Sequence, residues 1–305
     1  MTWLAGLLPY GLATQVFERI GHVHIPVTSL WERTQEIGEV LQACQVSQQA
    51  QVSPDRVILP PPGQDHTRPT GLSMDGGMMN IRGEGWKEFK VGTVYEITTT
   101  TRQDPQTNEA VVVARGENMA YRAILGDVQA FAPAFWALAV QRGVPQAADV
   151  VTTADGAEWL WNVTEDLFPQ SVQIVDWYHA TQHLAQAAMA LYPNDEAAAQ
   201  RWQQTRREAL YLGEIERITA PLEAAGLATE AHYFQTHQRR MQYQEFRERG
   251  YPIGSGTVES GIKQFKQRLT GAGMRWARSA AERMLIIRAA VMTNTFDALC
   301  AAALN

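Results

Sequence analysis

The sequence predicts an α/β protein built on a mixed β-sheet, with an all-helical insertion and a short helical region ahead of the sheet. Three observations carry that expectation. Residues 72–125 hold alternating segments rich in β-branched and aromatic side chains, as half-buried strands require. Residues 126–179 switch between helical patterns and short apolar runs, as strand–helix–strand units do. From Ala180 to Arg249 strand signals stop and only helical periodicity remains.

Composition bounds the rest. A chain of 305 residues can bury a full core as one large domain or two ordinary ones. Its 45% hydrophobic and 19% charged content is that of a soluble globular protein. Two cysteines, Cys44 and Cys300, form no CxxC pair, which argues against a disulfide scaffold or a cysteine-rich zinc site and fits a reducing compartment. The apolar N-terminus lacks the basic region and cleavage site of a signal peptide, and no apolar run approaches the ~18 residues of a membrane span. A cytoplasmic protein with no membrane partner is expected.

Residues 1–50 read as helices. In VTSLWERTQEIGEVLQ, Thr28 or Ser29 is the candidate N-cap, and Leu30, Ile37 and Leu41 recur at near-helical spacing. Two short helices joined near Gly21 would allow a helix-turn-helix remnant. Residues 51–71, crowded with prolines, predict a linker and a domain boundary. LSMDGGMMNI is a short strand interrupted by Asp75; WKEFKVGTVYEITTTTR and EAVVVARG are strands joined by a turn at DPQTN. In GDVQAFAPAFWALAVQRGV a helix carries Val128, Phe131, Phe135, Leu138 and Ala139 on one side, with Pro133 marking a kink or a late start. DVVTTAD is a strand, GAEWLWNVTEDLF a helix and SVQIVDWYH a strand. Three helices fill the block to Arg249. GYPIGSG breaks it, TVESGIKQFKQRL opens a new helix, and SAAERMLIIRAAVMTNTFDALCAAAL reads as another. No period of 20–50 residues recurs, which excludes a solenoid.

The resulting order, β-β-β-α-β-α-β, then a helical block, then a late helix, implies an antiparallel meander extended by parallel strands. That is the order of a ribonuclease-H-like domain, over residues 72–179 and 251–295, with residues 180–250 as its helical insertion.

Four acidic positions stand out. Asp75 sits in an apolar strand pattern, where burying a carboxylate costs several kcal/mol unless it is paired or metal-bound; Asp75-Gly76 is equally a common turn dipeptide. Asp155 follows VVTTA at the carboxyl end of a predicted parallel strand, where ligand-binding groups gather, and it competes as a helix N-cap. Asp176 ends QIVD with His179 three residues on, a pairing that suits a cap and a histidine orienting a neighbouring carboxylate. Glu259 lies early in a helix whose apolar stripe is Val258, Ile262, Phe265 and Leu269, with Lys263 and Lys266 on the adjacent face. Taken singly, each has an ordinary structural explanation. Together, Asp75, Asp155 and Glu259 can converge at one sheet edge, repelling one another unless divalent cations such as Mg²⁺ or Mn²⁺ are bound. Two such ions suit phosphodiester displacement.

At these residues the chain resembles the bacterial insertion-sequence transposases of the DDE superfamily, specifically the ISKra-type group related to Mutator-like elements. The stretches that carry the likeness are MDGGMMNIRGEGWKEFKVGTVYEI, TTADGAEWLWNVTEDLFPQSVQIVDWYHATQHL and YPIGSGTVESGIKQFKQRLTGAGMRWARSAAERMLIIRA. The resemblance implies Asp75, Asp155 and Glu259 as catalytic, metal-holding carboxylates and two Mg²⁺ or Mn²⁺ ions. It implies His179 as a supporting group beside Asp176, the two matching a D-x-x-H signature, with Asp176 the rival for the second carboxylate. The implied partners are transposon-end and target DNA, handled by a homo-oligomer associated with the nucleoid.

Net charge of −6 argues against nucleic acid, but residues 238–288 carry +7 and the remainder −13. Lys263, Lys266, Arg268, Arg275 and Arg278 are the expected DNA-backbone contacts; solvated helix faces are the alternative reading. The group usually carries a longer N-terminal region with a cysteine-bearing segment, absent here, so a truncated DNA-binding remnant remains an alternative. So does a nuclease of the same fold without strand transfer, although the helical block of roughly 70 residues favours transposition.

Overall fold

The computed structural model describes residues 1–52, 69–103 and 110–304. Most of the expected proline-rich linker and the DPQTN turn lie outside the described residues. Three helices open the chain: α1 (Thr2–Leu7), α2 (Tyr10–Gly21) and α3 (Val27–Gln51). The break falls at Gly21, where a join was expected, but α3 runs to 25 residues rather than forming a short second helix, and its N-cap is Pro26 rather than Thr28 or Ser29. Proline there fixes φ for helix entry without needing its own N–H.

Three long strands follow, β1 (Thr70–Ile81), β2 (Gly85–Gln103) and β3 (Ala110–Leu125). Then come α4 (Val128–Gln141), β4 (Val150–Ala154), α5 (Glu158–Leu167) and β5 (Val172–Val175). The strand–helix order matches the sequence expectation element for element. The protein is α/β, with a mixed five-stranded sheet in the order β3-β2-β1-β4-β5. β1 pairs antiparallel with β2, and β2 with β3; β4 joins β1 in parallel, and β5 joins β4 in parallel. β1 runs straight through Asp75-Gly76-Gly77, so the Asp-Gly turn alternative is not realised. The reversal comes instead at residues 82–84, where Gly83 takes φ of 79°.

Helix α4 begins at Val128 and continues through Pro133, so no late start occurs. The Asp127 carboxylate accepts from the Ala130 N–H and fixes that start. Phe131 and Phe135 from α4 stack over the sheet, and Gly92 beneath them leaves room that a Cβ would fill, 2.3 Å from the Phe135 ring.

The helical block comprises α6 (Trp177–Leu191), α7 (Glu196–Tyr211), α8 (Glu216–Ala224), α9 (Ala228–Thr236) and α10 (Tyr243–Glu248). Five helices replace the expected three. The run TEAHYFQTHQRRMQYQEF is broken by a 3-10 turn at Gln238–Arg240, where Arg240 turns away to Glu165, Gln173 and the Trp161 ring. The chain ends in α11 (Gly256–Leu269), α12 (Arg278–Met292) and α13 (Phe296–Leu304). The single long terminal helix expected from sequence is interrupted at Asn294, which adopts a left-handed conformation (φ 58°), a common way to end a helix.

Two apolar layers sandwich the sheet. On one face Leu72, Met74, Phe131, Phe135 and Leu160 merge with the core of the helical block through Leu184, Trp202 and Phe234. On the other, Met79, Phe89 and Val91 pack against Ile262, Phe265 and Leu269 of α11 and Leu285 and Ile287 of α12, with Ile37 and Leu41 of α3 joining them. The predicted α11 stripe is therefore the buried face. Among the described residues no single helix is long and apolar enough to cross a membrane.

Candidate active site

The site is set by the step from β1 to β4. Their parallel register runs from Thr70↔Val150 to Ser73↔Thr153. Two residues further, Asp75 and Asp155 stand level, just where β4 ends and β1 carries on alone. Alternation along β1 turns Asp75 to the same face as Met79 and Ile81, the face that α11 covers. Glu259 arrives from the first turns of α11.

The electrostatics register this convergence. Burial raises the Asp75 carboxyl above its ordinary value, and the negative charges of Asp155 and Glu259 push the same way. The Gly76 N–H, 2.6 Å from Oδ1, and the Lys266 charge oppose them. Asp155 does not cap α5, whose N-cap is Ala157 with no side-chain bond. Its Oδ1 instead accepts from the Ala157 N–H at 2.9 Å, which orients the carboxylate. Gly156 makes the sharp turn after it, with φ of 104°, a conformation that a side chain would strain.

Glu259 sits in its own ring of contacts. The Ser255 hydroxyl donates to Oε1 at 3.2 Å, His179 Nε2 lies 3.7 Å from Oε1, and Lys263 Nζ lies 3.8 Å from Oε2. Asp176, His179 and Glu259 offer ligand atoms within 4.8 Å of one another. Asp176 is nonetheless committed elsewhere. It is 2% exposed, its Oδ1 accepts from the His179 N–H at 2.8 Å as the cap of α6, and its Oδ2 accepts from the Ser255 N–H. With both oxygens held by the main chain, Asp176 acts as a clamp joining the start of α6 to the start of α11. The Trp177 N–H, donating to the Ile253 carbonyl at 2.8 Å, strengthens the same joint. Asp75 thus feels the charges of Asp155 and Glu259. Among the described residues, however, the carboxylate that shares a group of ligand atoms within 4.8 Å is Glu259, with Asp176 and His179, and neither Asp75 nor Asp155 joins that group.

The basic stripe does not survive as one surface. Lys263, Lys266 and Arg275 are exposed, the first two on the α11 face beside the carboxylates. Arg278 is engaged by Glu84 and Glu282. Arg268 is a correction: it is 1% exposed, donates from Nε to the Ala5 carbonyl at 2.7 Å and lies against the Tyr10 and Trp276 rings. It anchors α1 and cannot meet DNA. The linear spacing misled because Arg268 falls one residue from Leu269, on the buried side of the helix.

Three neighbours escaped the sequence reading. His183 stacks on Tyr233 with ring centroids 3.6 Å apart, and His237 meets Tyr233 edge-on at 5.0 Å. The buried Tyr233 hydroxyl lies near Gly156, where an added Cβ would sit 3.2 Å from it. Burial, followed by the charges of Asp155 and Asp176, holds the Tyr233 phenol well above its ordinary pKa. Burial pushes His237 down to about 4, with Arg240, His183 and His232 adding to the effect. The available signal was spacing: His179 and His183, and Tyr233 and His237, are both i, i+4 pairs that share a helix side.

Neither the comparison with family models nor that with curated proteins finds a match for this chain.

Proposed function

We propose that this chain is the catalytic domain of a DDE transposase with a ribonuclease-H-like fold, acting on transposon-end and target DNA. The observation that carries the reading is the level placement of Asp75 and Asp155 on adjacent parallel strands with Glu259 near enough to raise the Asp75 pKa. A carboxylate drawn out of water beside two like charges, with Lys266 only partly offsetting them, is unfavourable as it stands, and carboxylate oxygens are the preferred donors of Mg²⁺ and Mn²⁺. The donor set therefore fits divalent cations, with Asp75, Asp155 and Glu259 as the residues that would hold two ions. Bound there, the ions would supply an activated water or 3′-hydroxyl and charge compensation for the leaving oxygen.

The chain's own residues do the positioning. The Gly76 and Ala157 N–H groups aim the two aspartates. Ser255 and His179 hold Glu259, and the Asp176 clamp fixes the turn from which α11 starts. Lys263 and Lys266 supply positive charge for the phosphate backbone on the α11 face beside the carboxylates, and the exposed Arg275 adds to it from the segment that follows α11.

The test is cleavage of the cognate element's end DNA, intact and pre-nicked, in Mn²⁺ by the purified protein beside Asp75→Ala and Glu259→Ala. The wild type is expected to give cleaved and joined products and both variants none. Cleavage without joining assigns a nuclease of this fold. Binding with no metal-dependent product, even on the pre-nicked substrate, overturns the enzymatic reading in favour of a DNA-binding remnant.

A further inference from the structure

The outer edge of the sheet holds a charge that its surroundings do not balance. Arg122 lies on β3, the edge strand, and is 4% exposed. Among the described residues its Nε and Nη1 are buried with no hydrogen-bond partner. Burial alone draws its pKa down to about 10, with no carboxylate contributing. The other two buried arginines each reach main-chain acceptors. Arg268 donates to the Ala5 carbonyl, and Arg288 donates to the carbonyls of Gly6 and Gln264, although Arg268 Nη2 and Arg288 Nε are themselves buried without a partner. A desolvated guanidinium with no acceptor is among the costliest arrangements a fold can contain, and native proteins partner the large majority of such buried nitrogens.

Space for a partner exists beside it. Arg122 lines a cavity of about 270 Å³ enclosed by α3, β3, α4, α12 and α13. Leu41, Leu138 and Ile286 form an apolar wall, and Gln45 and Gln141 add amide groups. Gln141 and Arg142 are exposed at its rim, so the cavity has a route to solvent. A bare inorganic ion would leave the apolar wall facing water. An anion carried on a small apolar body would satisfy the guanidinium and cover the wall together.

We propose that this cavity binds a small organic oxyanion, its carboxylate or phosphate oxygens accepting from the Arg122 guanidinium and its apolar part resting on Leu41, Leu138 and Ile286. The site lies on the strand at the far edge of the sheet from β4 and β5, and it stands whether or not the chain is a transposase.

Calorimetric titration of the full chain with benzoate and with phenyl phosphate, at ionic strength matched with chloride, tests it. Saturable uptake by the wild type is expected, with the dissociation constant at least tenfold weaker in Arg122→Met. Tighter benzoate binding identifies an organic carboxylate as the ligand source, and tighter phenyl phosphate binding identifies a phosphate. In chloride alone, the thermal midpoint of Arg122→Met is expected to equal or exceed that of the wild type, because the variant removes an unbalanced buried charge. A second variant, Leu138→Phe, keeps the charge but fills the cavity, and it is expected to lose benzoate uptake. No saturable uptake of either probe by the wild type, or undiminished uptake by Arg122→Met, overturns the proposal.

Discussion

Asp176, at the end of β5, and Asp75, within β1, are both carboxylates drawn largely out of water, and the fold treats them in opposite ways. Asp176 has main-chain N–H groups on both oxygens, from His179 and Ser255, and ties two helix starts together. Asp75 has one N–H, from Gly76, and burial, followed by the charges of Asp155 and Glu259, raises its pKa against the opposing charge of Lys266. The contrast separates two uses of a buried acid. Main-chain donors make a carboxylate part of the scaffold, whereas like charges leave it in need of a cation.

The largest effect is expected at the clamp. Asp176→Ala removes a helix cap and leaves the Ser255 N–H buried without an acceptor, a combined loss of about 3 kcal/mol. Asp176→Asn keeps an acceptor oxygen and should lose roughly half as much. Urea unfolding of the two variants reads both values. A loss below ~1 kcal/mol in the alanine variant would mean that the clamp contributes little and that Asp176 is free for metal.

The helical block has its own buried titrating group, and here pH is the lever. His237 is held neutral, with its pKa lowered from 6.5 to about 4, chiefly by burial. As pH falls from 6.5 towards 4, the unfolded chain takes up a proton that the folded protein refuses, so stability must fall across that window. The expected loss is on the order of 2 kcal/mol. His237→Gln should flatten it, which a comparison of urea midpoints at pH 7 and pH 4.5 would reveal. An unchanged slope in the variant would place the acid sensitivity elsewhere.

Asp75 should show the reverse of Asp176. In EDTA at pH 7, Asp75→Asn removes a charge that burial and two neighbouring carboxylates disfavour, and it is expected to raise stability by about 1 kcal/mol. The pH dependence has a definite sign. A raised carboxyl pKa means that the wild type gains stability as pH falls from the raised value towards 3.8, and the variant should lack that gain. Adding Mn²⁺ should stabilise the wild type and leave Asp75→Asn unmoved. Destabilisation by Asp75→Asn in EDTA would make Asp75 a scaffold residue like Asp176.

Much of the fold was legible in the sequence, whereas this contrast was not. Alternation and β-branched content located five strands in order, and the α11 stripe of Val258, Ile262, Phe265 and Leu269 was readable from its helical spacing, because burial imposes those periods directly. The interruptions were not. The turn at Gln238–Arg240 breaks its helix through the contacts of Arg240 with Glu165, Gln173 and the Trp161 ring, which local propensity does not contain. Asn294 ends α12 in a left-handed conformation inside an otherwise continuous helical pattern. Asp155 and Asp176 looked alike in sequence, each an acid after a short apolar strand. Only the arrival of Ser255 from 79 residues away distinguishes the clamp.

The smallest stability effect is expected on α11, where Lys263 and Arg268 repeat the contrast among cations. The Lys263 side chain is 78% exposed and sits 3.8 Å from Glu259, an arrangement worth at most about 0.5 kcal/mol. Lys263→Ala should therefore scarcely alter unfolding. If its face meets DNA, however, the slope of log affinity against log salt should fall by about one charge. Arg268→Ala would do the opposite, loosening α1 by stripping the Ala5 carbonyl of its donor while leaving any salt slope intact in the folded fraction. Equal salt slopes for wild type and Lys263→Ala would remove the α11 face from the DNA-binding surface and leave Lys263 as a solvated partner of Glu259.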